Sequence, residues 1–203
     1  MARRNDHSKE ELQSMAIDAT RSLISQAGYE GVSARKVANS IGYTVGTLYQ
    51  NFNGIQDLIL HANAFTLSSL LLELEEAYNH SASPRWRIEK VALAYLDFAQ
   101  RHEKLWHAVY KLTLPQDQAI PDWYQSRIDA LFSLLENALT QLDGKRSTNE
   151  IQKASRILWS SVHGICILHV GNKLFSDNIA SPQELIESLI QNYLAAWLQQ
   201  GTA

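Results

Sequence analysis

Apolar residues recur three and four positions apart through most of the chain, and the recurrence breaks at glycines, prolines and short polar clusters. Between residues 8 and 27, Leu12, Met15, Ala16, Ala19, Leu23 and Ala27 make one such stripe, the signature of an amphipathic helix. Ser8 followed by Glu11 predicts a capping box at its start, where a hydroxyl accepts from one free backbone N–H and a carboxylate from another. Gly28 predicts its end. Ser33 then caps a short helix with Val37, Ala38 and Ile41 inward, Val32 is placed to touch Val37 as a hydrophobic staple, and Gly42 stops the helix. Thr44 caps another at once, with Leu48 and Phe52 as its inward residues. Helix, tight turn at Gly42-Tyr43, helix is the helix-turn-helix arrangement.

From Gln56 to about Tyr78 the apolar period runs through Leu58, Leu60, Phe65, Leu70, Leu71 and Leu74, which predicts one long connecting helix. Ser83-Pro84 offers an N-cap and a preset first residue for the next, carrying Ile88, Val91, Ala92, Tyr95 and Phe98 and ending near Arg101. A shorter helix covers about Leu105 to Leu112, and Pro115, Gln116, Asp117 and Pro121 mark the least regular loop. Ile128, Leu131, Leu134, Leu135, Ala138 and Leu142 make another helix, stopped at Asp143-Gly144. Ser147 with Glu150, and Ser181-Pro182-Gln183-Glu184, open the last two. The fold class is all-α with about nine helices: a three-helix N-terminal helix-turn-helix domain, residues 1–53, and a larger helical domain, residues 54–203.

Composition narrows the function classes. With 203 residues, 45% of them hydrophobic, the chain holds a small domain fused to a larger one. A net charge of -3 means that any nucleic-acid binding comes from local charge and shape. The single cysteine, Cys166, forms no internal disulfide, and no signal-peptide pattern or uninterrupted apolar run of membrane-spanning length is present. A cytoplasmic protein with no membrane role is expected. HExxH, GxSxG, P-loop and paired-cysteine patterns are missing, so neither an enzyme nor a cofactor is expected.

The stretch from Gly28 to Phe52 resembles the DNA-binding domain of the TetR family of repressors. The resemblance lies in the aromatic Tyr29 after the glycine, the capping Ser33, Val37-Ala38, Ile41-Gly42, the run Gly46-Thr47-Leu48-Tyr49, Phe52, and Asp57-Leu58 beyond. It implies a ligand-responsive transcription regulator, a repressor released from a palindromic operator by a small molecule, acting as a homodimer on double-stranded DNA. The residues support this separately. A helix entering the major groove needs small or polar groups near its start, which Val45, Gly46, Thr47 and Gln50 provide. Gln50 suits adenine, Thr47 a thymine methyl or a phosphate, and Tyr49 a phosphate oxygen. Ser33, Thr44 and Asn51 complete the candidate interface, and Arg35 and Lys36, with Arg3, Arg4 and Lys9, supply its positive charge. Each also has a plain structural role open to it: the serine and threonine as caps, Tyr49 as a packing partner of Phe52. Two positions depart from the family pattern, Val45 and Gly54-Ile55, where basic residues that contact phosphate are common; the departure implies a shallower salt dependence unless the N-terminal arm compensates. The competing reading is a helical ligand-binding or protein-interaction module without specific DNA binding.

Trp159, His163 and Gly164 resemble the Trp-His-Gly signature of one subgroup of the family's C-terminal domains. At i and i+4 the first two share a helix face, which points to packing or dimerisation. A metal cluster of His163, Cys166 and His169 is the disfavoured alternative; no metal site is expected. Leu185, Leu189, Tyr193, Ala196 and Trp197 form a stripe suited to a four-helix dimer interface, though an internal core produces the same pattern. Trp106, Tyr110, Trp86, Trp123 and His107 are the candidate lining of an effector pocket, with Trp106 and Tyr110 foremost because they share a face beside the irregular loop. The effector, operator and target genes are not legible.

Overall fold

The computed structural model describes residues 7–114, 119–174 and 179–200. The N-terminal Arg3 and Arg4, and Pro115, Gln116 and Asp117 of the irregular loop, lie outside the described residues. Within them are nine α-helices and no strand: α1 Lys9–Ala27, α2 Ala34–Ile41, α3 Val45–Tyr49, α4 Ile55–Asn79, α5 Pro84–Arg101, α6 Glu103–Lys111, α7 Asp122–Leu142, α8 Thr148–Val170 and α9 Pro182–Gln200. A single 3-10 turn, Tyr29–Gly31, joins α1 to α2. The chain divides into two compact units. The first comprises residues up to Ser68 together with His102–Tyr124; the second comprises Ser69–Arg101 and the residues from Gln125 on.

Local chemistry sets the helix ends of the first unit. Ser8 Oγ accepts from the Glu11 N–H at 3.1 Å while Glu11 Oε2 accepts from the Ser8 N–H at 2.7 Å, the reciprocal capping box. Gly42 closes α2 in the left-handed region, φ 76° and ψ 24°, a conformation open to glycine at little cost. The buried stripe of α1 is Leu12, Ala16, Thr20 and Ile24, a face turned slightly from the expected one; Ala19 and Leu23 sit at its flank. Thr20 qualifies for the interior because its hydroxyl donates to the Ala16 carbonyl at 2.8 Å and leaves only its methyl to pack.

Two apolar clusters hold this unit together. Ala16, Val37, Ala38, Leu48, Phe52 and Leu58 tie α1, α2, α3 and the start of α4 into a three-sided core, with Val32 packed against it as the staple requires. Ile24, Ile59, Ala62 and Ala108 form the second and bring α6 onto α1 and α4. Each large side chain removed from water there contributes roughly 1.5–3 kcal/mol. The fully buried Asn63 fixes the register of α4 against α6 by donating from Nδ2 to the Ala108 carbonyl at 3.0 Å.

In the second unit α5, α8 and α9 pack together. Ser147 and Glu150 form the capping box of α8, and Ser181 and Glu184 make the same reciprocal bonds ahead of α9. The two last helices are each apolar on two faces. α8 buries Ile151, Ala154, Leu158, Val162 and Cys166; α9 buries Ile186, Ile190, Leu194 and Trp197.

One sequence expectation needs amending. No uninterrupted apolar run spans a bilayer, yet α4, at 25 residues and mean hydropathy 1.2 over its most apolar window, is long and apolar enough to do so by length and composition. Half of that window is buried inside the protein, and the polar Asn63 and Thr66 are among its buried positions. A window average reads a core helix and a membrane helix alike.

Candidate nucleic-acid interface and ligand cavity

α3 is only five residues long and is held from both ends. Thr44 Oγ1 accepts from the Thr47 N–H at 3.2 Å and lies 3.0 Å from Thr47 Oγ1. At the other end Asn51 Nδ2 donates to the Thr47 carbonyl at 2.9 Å. Leu48 and Phe52 anchor the inner face at 1% and 4% exposure, whereas Tyr49 on the outer face is 51% exposed. Tyr49 therefore does not pack in the core beside Phe52. Gly46 and Gln50 are exposed with it, so the outward face of α3 is a glycine, an amide and a phenol on a rigid backing.

Gly46 is informative because its own fold does not need it. A Cβ placed there meets nothing closer than Thr44 Oγ1 at 3.7 Å, an ordinary contact, and the position requires no left-handed backbone. A helical glycine weakens its helix relative to alanine. Packing within the described residues gives no reason for a glycine here.

The surrounding charges are arranged unevenly. Arg35 is exposed, while Lys36 donates from Nζ to the Gly31 carbonyl at 2.8 Å and its backbone N–H is capped by Ser33 Oγ at 3.4 Å. His7 Nδ1 lies 2.8 Å from the Tyr43 hydroxyl, which ties the start of the described chain to the turn between α2 and α3. Val45 and Ile55, the two departures from the family pattern, are both half-buried against the core cluster of α1, α2, α3 and α4. Their apolar character has a packing reason, which the sequence alone did not reveal. Asp57 adds an acidic group nearby, accepting from the Asn53 N–H at 2.8 Å at the start of α4.

The candidate pocket residues are split. Trp106, His107, Tyr110 and Trp123 fall in the first unit and Trp86 in the second. Trp106 and Tyr110 do share a face, with ring centroids 5.5 Å apart, but Trp106 is fully buried and Tyr110 is 42% exposed. Trp123 stacks on His61 at 4.6 Å. Beside it the Tyr124 phenol is pushed up to about 12, by burial first and by Tyr110 second. His107 lines a charged surface cleft with Glu30, Glu103, Lys104 and Lys111, where Lys104 Nζ donates to the Gln26 carbonyl at 2.6 Å and Lys111 pairs with Glu30 at 2.5 Å. Trp86 lies exposed on α5, its ring 6.0 Å from Lys90 Nζ.

None of these five lines the apolar cavity of the second unit. That cavity, small and apolar, is walled by Ile88, Val91, Ala92 and Tyr95 of α5, Leu135 of α7, Leu158, Trp159 and Val162 of α8, and Ile190 of α9. Trp159 and His163, whose shared face points in the sequence to packing or dimerisation, are turned toward α5. Trp159 packs 4.6 Å from the Tyr95 ring and 5.3 Å from Phe132, and His163 Nδ1 lies 2.8 Å from the Tyr95 hydroxyl. Their shared i, i+4 face meets its partner inside the chain. Trp197 likewise turns inward, 9% exposed under the Arg146 guanidinium at 4.4 Å. His169 Nε2 is 2.8 Å from Gln100 Nε2, and Cys166 is buried, its thiol pushed up to about 12 by that burial.

What remains outward on α8 and α9 is a pair of apolar stripes. Ile157 and Leu168 are 40% and 42% exposed on α8, with Gly164 between them, and a Cβ on Gly164 meets nothing within 4 Å. Leu189, half-buried Tyr193 and exposed Ala196 run along α9. Sequence periodicity blurred these with the inner stripes because both recur at helical spacing on the same helices.

Residues 16–62 match the family model described as bacterial regulatory proteins, tetR family, and residues 88–193, more than half of the chain, match the tetracyclin repressor-like C-terminal domain. No curated protein sequence matches. Among solved structures, a protein of unknown function from Rhodococcus sp. RHA1 superposes with TM-score 0.75 at 19% identity, over 96% of this chain and 98% of that one. A TetR-family transcriptional regulator from Bordetella parapertussis 12822 gives 0.60 at 17%, over 91% and 95%. The transcriptional regulator FadR from Bacillus subtilis, in complex with stearoyl-CoA, gives 0.64 at 15%, over 89% and 96%. At such identities the likeness shows a shared fold.

Proposed function

Because the chain belongs to the TetR family of bacterial regulatory proteins, and is a DNA-binding, ligand-responsive transcription regulator, we propose that it is a repressor that reads its operator with α3. The observation that carries this assignment is the outward face of α3: Gly46, Tyr49 and Gln50 exposed on a helix of five residues whose inner side is locked by Leu48 and Phe52. Gly46 lets the backbone approach base edges, Gln50 reads adenine, Thr47 and Tyr49 reach phosphate, and Arg35 and Lys36 flank them. Ser33, Thr44 and Asn51 hold the frame, and Val45 seats it on the core. In this division of labour residues 1–53 bind DNA and residues 54–203 sense and dimerise.

The protein acts as a homodimer through the outward stripes of α8 and α9, with Gly164 admitting close approach of the second copy and Leu189 and Tyr193 packing around it. Two recognition helices then face half-sites about one DNA turn apart, roughly 34 Å. α4 runs without a break from the first unit into the second, and that continuity supports a mechanism in which an effector biases its position and so the separation of the two copies of α3. Action on chromosomal DNA makes the cytoplasm its location, and regulators of this family are non-enzymatic.

The test is Tyr49→Ala in a selection of sheared genomic DNA. Tyr49 is half exposed, and a surface substitution of this kind changes stability by about 0.5 kcal/mol or less. The wild type is expected to enrich one pseudo-palindromic site and the variant to lose it with an unchanged melting curve. A folded wild type that enriches nothing returns the chain to the reading of a helical sensing or interaction module.

A further inference from the structure

Two hollows of the surface are already engaged. The charged cleft beside His107 has its lysines held by Gln26 and Glu30. The groove lined by Arg146, Tyr193 and Trp197 falls on the face assigned above to the second copy. The contact between His7 and Tyr43 is different in kind. His7 is exposed and Tyr43 half-buried, so their bond satisfies no fully buried group, and a hydrogen bond in such a place adds little to stability. Neither side chain caps a helix: Ser8 opens α1, Gly42 closes α2 and Thr44 opens α3.

What the contact does is aim an imidazole. His7 Nδ1 lies 2.8 Å from the Tyr43 hydroxyl, with the two rings inclined at 59°. A phenol is the better donor and an imidazole nitrogen the better acceptor, so the Tyr43 O–H donates to Nδ1 and the ring proton sits on Nε2. That nitrogen, on the opposite edge of the ring, has no partner among the described residues. Tyr43 immediately precedes the cap Thr44 and stands three residues before Gly46, which puts the fixed donor at the leading end of α3. Cations are scarce there. Val45 and Ile55 are given over to the core, and Lys36 Nζ is bound to the Gly31 carbonyl.

We propose that His7 is a contact to the DNA backbone: its Nε2–H donates to a phosphate oxygen beside the base edges that α3 reads, and Tyr43 is the positioning residue that holds the ring for it. The proposal rests on the regulator reading above and adds to its interface a residue that lies ahead of α1, outside the helix-turn-helix. A phosphate contact carries no sequence information, so His7 sets affinity and register on every duplex alike.

The experiment uses the full chain and a DNA fragment enriched by the wild type, synthesised with a neutral methylphosphonate in place of one phosphate at a time, with affinity read by fluorescence anisotropy. His7→Ala is expected to weaken binding to the unmodified fragment by about tenfold or more, the worth of a hydrogen bond to a charged acceptor, and to weaken binding to random duplex by a similar factor. At one linkage in each half-site the methylphosphonate is expected to weaken the wild type and to have no effect on His7→Ala, while other sensitive linkages stay sensitive in both proteins. A purely structural role for His7 would leave the whole pattern of sensitive linkages unchanged. Tyr43→Phe removes only the hydroxyl; it is expected to weaken binding several-fold in the wild type and to change nothing in His7→Ala, because the two residues act as one unit. The melting curves of all three proteins are expected to coincide, His7 being exposed. Wild-type affinity in His7→Ala, an identical set of sensitive linkages in both proteins, or additive losses in the double variant would overturn the proposal. Enriched DNA with any of these results rejects the His7 contact alone and leaves the regulator standing; a folded wild type that enriches no DNA rejects both.

Discussion

Gly46→Ala should make the protein more stable and a worse DNA binder. The residue is the second of α3, its backbone is helical, and the added methyl meets only Thr44 Oγ1 at 3.7 Å. Replacing a helical glycine by alanine is worth about 0.5–1 kcal/mol, and the lower end applies in so short a helix. For a chain of this size that corresponds to a rise in melting temperature of about 1–3 °C. On the DNA side the same methyl stands where the backbone approaches base edges. Overpacking a close contact costs about 1–3 kcal/mol, a loss of affinity of roughly five- to 150-fold. Calorimetry of the free protein and fluorescence anisotropy on a fragment enriched by the wild type measure the two effects independently. Wild-type affinity in the variant would show that α3 does not enter the groove; a lowered melting temperature would show that the glycine serves the fold after all.

Val45→Lys restores a phosphate contact at the expense of packing against the first core cluster. It should steepen the logarithmic salt dependence of DNA binding by about 0.9 per subunit and destabilise the protein by about 1 kcal/mol; an unchanged slope in a salt titration would exclude a phosphate near α3's first residue. Trp106→Ala should cost about 3–5 kcal/mol in urea unfolding, because Trp106 is 1% exposed, and a loss below 1 kcal/mol would mean that its surroundings are looser than described. Glu150 is held down to about 2, against 4.5 for an ordinary glutamate, chiefly by the Ser147 side chain and backbone and then by Arg146. A lowered carboxyl contributes stability that is present above about pH 4.5 and lost as pH falls toward 2. The gap in melting temperature between wild type and Glu150→Gln should therefore shrink across that window, and a gap independent of pH would refute the assignment.

Caps and turns were the most legible part of the chain. Ser8, Ser33, Thr44, Ser147 and Ser181 all cap where the sequence places them, since a cap is a local event that needs only its own next turn. Which face of a helix meets which neighbour was less so. Trp159 and His163 share a face, as their spacing says, but spacing does not distinguish Tyr95 of the same chain from a residue of a second copy. The apolar cavity was not legible for a related reason: its lining is mostly Ile, Val, Leu and Ala, which from sequence look like any core. Asn63 carries a usable signal of its own, an amide on the most apolar helix among the described residues, where a bonded partner makes burial tolerable.

The first unit is not a continuous stretch of chain: it takes in His102–Tyr124 from far downstream, through Ala108 on Ile24, Ile59 and Ala62 and through the amide of Asn63. The two compact units are thus interleaved along the chain. A single crossover after Phe52 or Ser68, the natural way to graft this reader onto a foreign sensor, leaves its second cluster facing a helix that evolved against someone else's residues. A working chimera has to carry two segments across and rejoin the chain at three places, and lineages that shuffle these modules face the same arithmetic.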